Sequence, residues 1–204
     1  VTFSDVRPRV AVLGSKTPHC LYDLLLCQQL GELGGDIALV LSNHESLGSV
    51  AAHFGVRFAC LPVTPDTKTQ VEVAQQRLLD ELKVDLVVLA RYMQVLSPEF
   101  VARWQGRIIN IHHSFLPAFV GAKPYHQAKQ RGVKIIGATA HYVTSELDQG
   151  PIIDQDVARV SHRDDIDEII SKGRNLERQV LTRAVRLHVQ RRVLISGNRT
   201  IVFS

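Results

Sequence analysis

The sequence predicts an α/β fold: a Rossmann-like, doubly wound, mostly parallel sheet, with a helix and a β-hairpin at its C-terminal end. Two observations carry this expectation. The strand-like runs in the first half are apolar throughout, as strands covered on both faces are. Stretches with apolar residues at helical spacing separate those runs.

The elements follow in order. RVAVLG (9–14) is a short β-branched run ending in glycine, and the helix 20–33 follows it, with Gly34-Gly35 as the expected stop. DIALVLS (36–42) is the second strand, 45–55 a helix closed by Gly55, and RFACLPV (57–63) the third strand. A long helix (67–83) precedes a fourth strand (84–92). Ser97-Pro98 then places an N-cap and a proline at the first helical position of a short helix. GRIINIH (106–112) is the fifth strand.

The second half changes character. A helix at about 121–131 leads to KIIGATAHYV (134–143) and then GPIIDQDVARV (150–160), which alternates at several positions like a strand buried on one side. An amphipathic helix spans about 164–189, and 192–203 reads as a hairpin turning at Gly197-Asn198. No repeat or linker interrupts the chain, so residues 1–204 are expected to form one domain.

Composition narrows the function classes. At 45% hydrophobic and 22% charged residues, the 204-residue chain fits a soluble globular protein. No apolar run reaches the roughly 18 residues of a membrane span, and the N-terminus shows no signal-peptide pattern. Met93 is the only methionine, so the chain lacks an initiator and is expected to be part of a longer protein. Cys20, Cys27 and Cys60 are an odd number without close pairing, which argues for buried free thiols and a reducing, cytoplasmic compartment. The net charge of +4 is mild. Arg183, Arg186, Arg191 and Arg192 crowd near the C-terminus without interleaved aromatics; a solvated face is expected there and nucleic acid is not.

The loop after the first strand of a parallel sheet is a favoured ligand position. Here it reads GSKTPHCLYD, with neither a dinucleotide nor a nucleotide-triphosphate glycine pattern. Ser15, Lys16 and His19 precede a helix start there. They can bind a small anion or simply cap and solvate the loop.

Four polar side chains stand out later: Asn110, His112, His141 and Asp148. Period two puts Asn110 and His112 on one face of a strand. The C-terminal ends of strands converge on one sheet edge, which is the expected meeting place for all four. An amide donates to an oxyanion, an imidazole titrates near neutrality, and a carboxylate orients it or holds water. The bland readings are structural hydrogen bonding for Asn and His, and turn formation for Asp148 next to Gly150-Pro151. Zinc on His112, His141 and Asp148 is disfavoured by the lack of close-spaced ligand pairs.

Residues 110–153 resemble the signature of formyltransferase-fold enzymes that use 10-formyltetrahydrofolate. The motif parts are Asn110-Ile-His112, Ser114-Phe-Leu-Pro117, His141, and Asp148-Gln-Gly150-Pro151. The stretches SK…HCLYDLL, NIHHSFLPAF.GAKPYHQA, GATAHYV and RVLISGNRTIVF narrow the resemblance to formyltetrahydrofolate deformylases, over residues of about 8 to 203. It implies hydrolysis of 10-formyltetrahydrofolate to formate and tetrahydrofolate, serving one-carbon metabolism and purine biosynthesis. It also implies Asp148, Asn110 and His112 as catalytic groups, and Met93, Val95, Leu96, His113, His141 and Ser145 at the substrate.

Folate is then the substrate, and no metal, cofactor, nucleic acid or membrane is expected. A homo-oligomer is expected. Such enzymes usually carry an N-terminal ACT domain, which this sequence does not show. The alternatives are a glycinamide ribonucleotide transformylase, which carries a Gly-rich first loop, and a folate-binding module without turnover. Where transformylases usually have proline, this chain has His113. Loop 14–20 and His113 are therefore expected to shape the second-substrate space.

Overall fold

The computed structural model describes residues 7–116 and 124–203. Pro117 of the signature, and the beginning of the helix expected from about 121, lie outside the described residues.

One seven-stranded sheet organises the chain in the order β3-β2-β1-β4-β5-β6-β7. Its strands are β1 (Arg9–Gly14), β2 (Asp36–Ser42), β3 (Phe58–Cys60), β4 (Leu86–Leu89), β5 (Ile108–His112), β6 (Ile135–Tyr142) and β7 (Ile152–Arg159). Strands β1 to β5 pair in parallel, and β6 is antiparallel to both β5 and β7.

The alternation of strand residues divides the core in two. Val10, Val12, Val88, Ile109, Ile111, Ala138 and Ala140 face α1 (His19–Gln29), α2 (Gly48–His53), α5 (Pro124–Arg131) and α6 (Ile166–Val189). Ala11, Leu13, Leu39, Val87, Leu89 and Ile108 face α3 (Lys68–Glu81) and α4 (Pro98–Arg103). With helices on both faces, the central strands have no solvent side, hence their unbroken apolar character.

Ends differ from expectation where glycine or left-handed backbone intervenes. Helix α1 stops at Gly31, not at Gly34-Gly35: Gly31 takes φ 75°, its N–H bonds to Gln28, and the Glu32 N–H reaches back to Cys27. Strand β4 ends before Arg91, whose φ of 62° turns the chain out of the sheet. Residues 45–47 are a 3-10 turn leading into α2.

The cap expected at Ser97 is present, and a second, unexpected one starts α6. The Ser97 hydroxyl accepts from the Phe100 N–H, with Pro98 first in α4. Asp165 and Glu168 form a reciprocal capping box at the start of α6. The terminal hairpin, β8 (Val193–Ser196) and β9 (Arg199–Val202), is a separate two-stranded sheet.

Arg183 is not simply solvated, because it bridges Asp154 and Asp156 on β7 at 2.7 and 3.0 Å. Cys20 and Cys27 are buried, while Cys60 is only partly so. No helix among the described residues is long and apolar enough to cross a membrane.

Candidate active site

Asn110, His112 and His141 share the sheet face that carries Ile108, at the junction of β5 and β6. Antiparallel pairing sets Asn110 opposite His141 and His112 opposite Thr139. This corrects the expected route to the cluster. His141 arrives not at a shared carboxyl edge but as a cross-strand neighbour, because β6 runs against β5 and its last turn of chain lies beside the middle of β5.

The hydrogen bonds assign ring protons. His141 Nδ1 lies 2.9 Å from the Tyr142 carbonyl, which only accepts, so Nδ1 carries a proton. Its Nε2 lies 3.2 Å from the Asn110 amide nitrogen. His112 Nδ1 lies 3.2 Å from one Asp148 oxygen, and His141 Nε2 lies 3.6 Å from the other. His112 Nε2 is buried and has no hydrogen-bond partner among the described residues.

The hydrogen bond from His112, with the His141 ring 3.6 Å from the other oxygen, holds the Asp148 carboxyl well below the usual carboxylate range despite partial burial. Asp148 is therefore ionised throughout the neutral range. It stands at φ 56°, a left-handed conformation that Asp tolerates better than most residues. Two residues on, a Cβ at Gly150 would lie 1.8 Å from the Tyr142 carbonyl oxygen, so only glycine lets the turn pass there.

The loop after β5 is tied down by Thr139. Its buried hydroxyl donates to the Ser114 carbonyl (2.9 Å) and accepts from the Leu116 N–H (3.1 Å) and the Gln155 amide (2.9 Å). This anchor fixes Ser114 and Leu116 just beyond His112.

The other expected residues divide. Met93 and Val95 are 63% and 61% exposed on the loop after β4, open to a ligand. Leu96 is not exposed with them; it is buried in the core with Phe100 and Trp104, so its side chain supports that loop from below. Ser145 is exposed on the loop between β6 and β7, and no hydrogen bond among the described residues ties it to the Asp148 cluster. Ser15 binds protein, not a free anion: its hydroxyl donates to Asn43 (2.7 Å) and accepts from the Met93 N–H (3.0 Å). The first-strand loop thus supports the loop bearing Met93.

On the opposite face lies a cluster that sequence reading did not assemble. The Glu177 side chain on α6 is 1% exposed. One of its oxygens accepts from the Tyr125 hydroxyl (2.5 Å), and the other lies 2.8 Å from His19 Nε2 and 3.5 Å from Arg91 Nε. Burial alone would raise the Glu177 carboxyl. The His19 hydrogen bond, the Arg91 charge and the Tyr125 hydroxyl outweigh it, so the group lies below its ordinary range. Glu177 was visible only as one charge in an amphipathic helix; its partners come from α1, α5 and the loop after β4.

His113 stands between the two clusters. Its ring centroid is 5.4 Å from that of His112 and 6.1 Å from that of Tyr125. Burial, then the charge of Arg91, pushes its pKa down to about 4, so it is neutral at physiological pH.

The family model described as "Formyl transferase" matches residues 8–185. A formyltetrahydrofolate deformylase of Synechocystis is 57% identical over 204 residues, covering all of this chain and 72% of the relative. The chain belongs to the formyltetrahydrofolate deformylase family of formyl transferase proteins. A crystal structure of a formyltetrahydrofolate deformylase from Pseudomonas syringae superposes with a TM-score of 0.97 at 50% identity, covering 100% of this chain and 68% of that one. A glycinamide ribonucleotide transformylase from Symbiobacterium toebii shares the fold at TM-score 0.90 but only 31% identity, over 97% of this chain and 95% of that one. The deformylase relatives are thus nearer than this transformylase by both measures.

Proposed function

We propose that this chain hydrolyses 10-formyltetrahydrofolate to formate and tetrahydrofolate, with Asp148, His112 and Asn110 as its catalytic groups. The carrying observation is the Asp148 carboxyl held by His112 at 3.2 Å beside the Asn110–His141 pair. It supplies a base, a proton carrier and an amide donor within one side-chain cluster.

The chemistry follows from the donor inventory. Water adds to the formyl carbon, an oxyanion forms, the bond to N10 breaks, and N10 takes up a proton. Asp148 holds the water and accepts its proton directly or through His112. One Asn110 amide proton points to His141, and the second remains for the oxyanion. His112 gives Nδ1 to Asp148, which leaves Nε2 for the substrate. A proton on Nε2 makes an imidazolium stabilised by the adjacent carboxylate, able to donate to the oxyanion or to N10. Neither a metal nor a covalent nucleophile enters this sequence.

The exposed Met93 and Val95 supply the apolar surface for the pteridine. Three unpaired cysteines support a cytoplasmic setting, where the formate serves one-carbon metabolism and purine synthesis. Apolar Leu194, Ile201 and Phe203, exposed on the terminal hairpin, support self-association.

The test is incubation with 10-formyltetrahydrofolate alone, then with amine acceptors, measuring formate and tetrahydrofolate. Equal amounts of both without an acceptor are expected. Formylation of glycinamide ribonucleotide faster than formate release would overturn the reading.

A further inference from the structure

The Glu177 cluster has no part in the steps above, yet it stands behind the catalytic histidine. Its members come from four places: His19 on α1, Arg91 after β4, Tyr125 on α5 and Glu177 on α6. Both carboxylate oxygens are engaged within the protein.

Tyr125 cannot retreat from its position. A Cβ on Gly173, one turn before Glu177, would lie 2.2 Å from Tyr125 Cζ and 2.3 Å from its hydroxyl. The ring therefore lies directly on the backbone of α6. In front of it stands His113, edge-on to Tyr125, and in front of His113 stands His112. The layers run from a buried carboxylate, through a phenol packed on α6 and an imidazole, to the ring that holds Asp148.

We propose that Glu177 and Tyr125 are specificity-determining positioning residues: they brace His113 as a wall that admits water to the formyl carbon and shuts out an amine. This inference rests on the deformylase reading and adds the reason why hydrolysis wins over transfer. In hydrolysis the water oxygen forms the new bond to carbon, the carbon–N10 bond breaks, and N10 gains the proton that water loses. With the wall gone, an amine nitrogen forms that bond instead. It releases one proton, N10 takes one up, and an N-formyl amine replaces formate. The neutral state of His113 fits a packing role, since a charged ring beside Arg91 would be repelled.

The test uses the full chain with 10-formyltetrahydrofolate and two small amines, hydroxylamine and glycinamide, with formate and N-formyl product both quantified. Wild type is expected to give formate as nearly its sole product. Tyr125→Ala removes the brace and is expected to raise the ratio of N-formyl product to formate by about tenfold or more, the scale of discrimination that pocket shape provides. Tyr125→Phe keeps the ring but drops the bond to Glu177, so an intermediate ratio is expected.

Tyr125→Ala with reduced turnover but the wild-type ratio would overturn the proposal, since a merely structural role lowers both products together. If that variant does not fold, Tyr125→Phe decides in the same way, with a wild-type ratio overturning it. Substantial amine formylation by wild type overturns it too. Wild type that releases no formate strikes instead at the deformylase reading, which the same experiment measures separately.

Discussion

Asp148 meets two demands at once: it must remain charged while partly buried, and its backbone must turn left-handed at φ 56°. Two imidazoles satisfy the first, and the tolerance of Asp for this region satisfies the second. Asn tolerates the same backbone, so Asp148→Asn separates charge from conformation. It is expected to abolish formate release while near-native circular dichroism persists.

The stability effect of Asp148 has a definite sign. Its carboxyl is lowered in the folded state from an ordinary value of 3.8, so its contribution is present above that value and fades as pH falls below it. The melting-temperature gap between wild type and Asp148→Asn should be full at pH 7 and shrink below about pH 4. Asn110→Ala removes the proposed oxyanion donor and should lower kcat by about 10²–10³-fold, read in steady-state formate release.

At the scale of elements, the site is held by turns more than by the sheet. The stretch from Asp148 to Pro151 joins a left-handed residue to a glycine under the Tyr142 carbonyl, and that carbonyl also fixes the His141 proton. Gly150→Ala forces the carbonyl and the turn apart. It should therefore lower kcat as well as melting temperature, even though the atoms nearest the methyl belong to Tyr142 and Thr144.

Thr139 gives a second case. Val in its place keeps the shape but removes the acceptor of the buried Leu116 N–H. A loss of about 1–3 kcal/mol in chemical denaturation is expected for a buried unsatisfied group.

Over the whole molecule, partly buried neutral imidazoles shape acid tolerance. His113 and His188 are both pushed down to about 4 by burial, with Arg91 adding to the effect at His113. Both are lowered relative to the unfolded chain, so their contribution is present above the ordinary 6.5 and is lost as pH falls through the folded value. Stability should decline between about pH 6.5 and 4, ahead of the Asp148 window. His188→Gln should flatten that decline in a series of thermal melts, because one proton-uptake site of the unfolded chain is removed.

The two core layers, the order of helices and strands and the capped start of α4 were legible in the amino-acid order, because periodicity and capping are local properties. Asn110 and His112 on one face followed from period two alone. The signature from Asn110 to Pro151 went further, because its resemblance to enzymes that use 10-formyltetrahydrofolate implied formyl chemistry. Three-dimensional pairing decided the rest. The antiparallel direction of β6 put His141 beside Asn110, and a long crossover through α5 leaves no local mark of strand direction. The burial of the Leu96 side chain was not legible, because it depends on the helices that cover it. Glu177 and His19, separated by 158 positions, became partners only when α1 and α6 packed side by side on one face of the sheet. Local sequence carries the period of an element but not the identity of its distant neighbours, and the proposed choice of water over an amine rests on such neighbours.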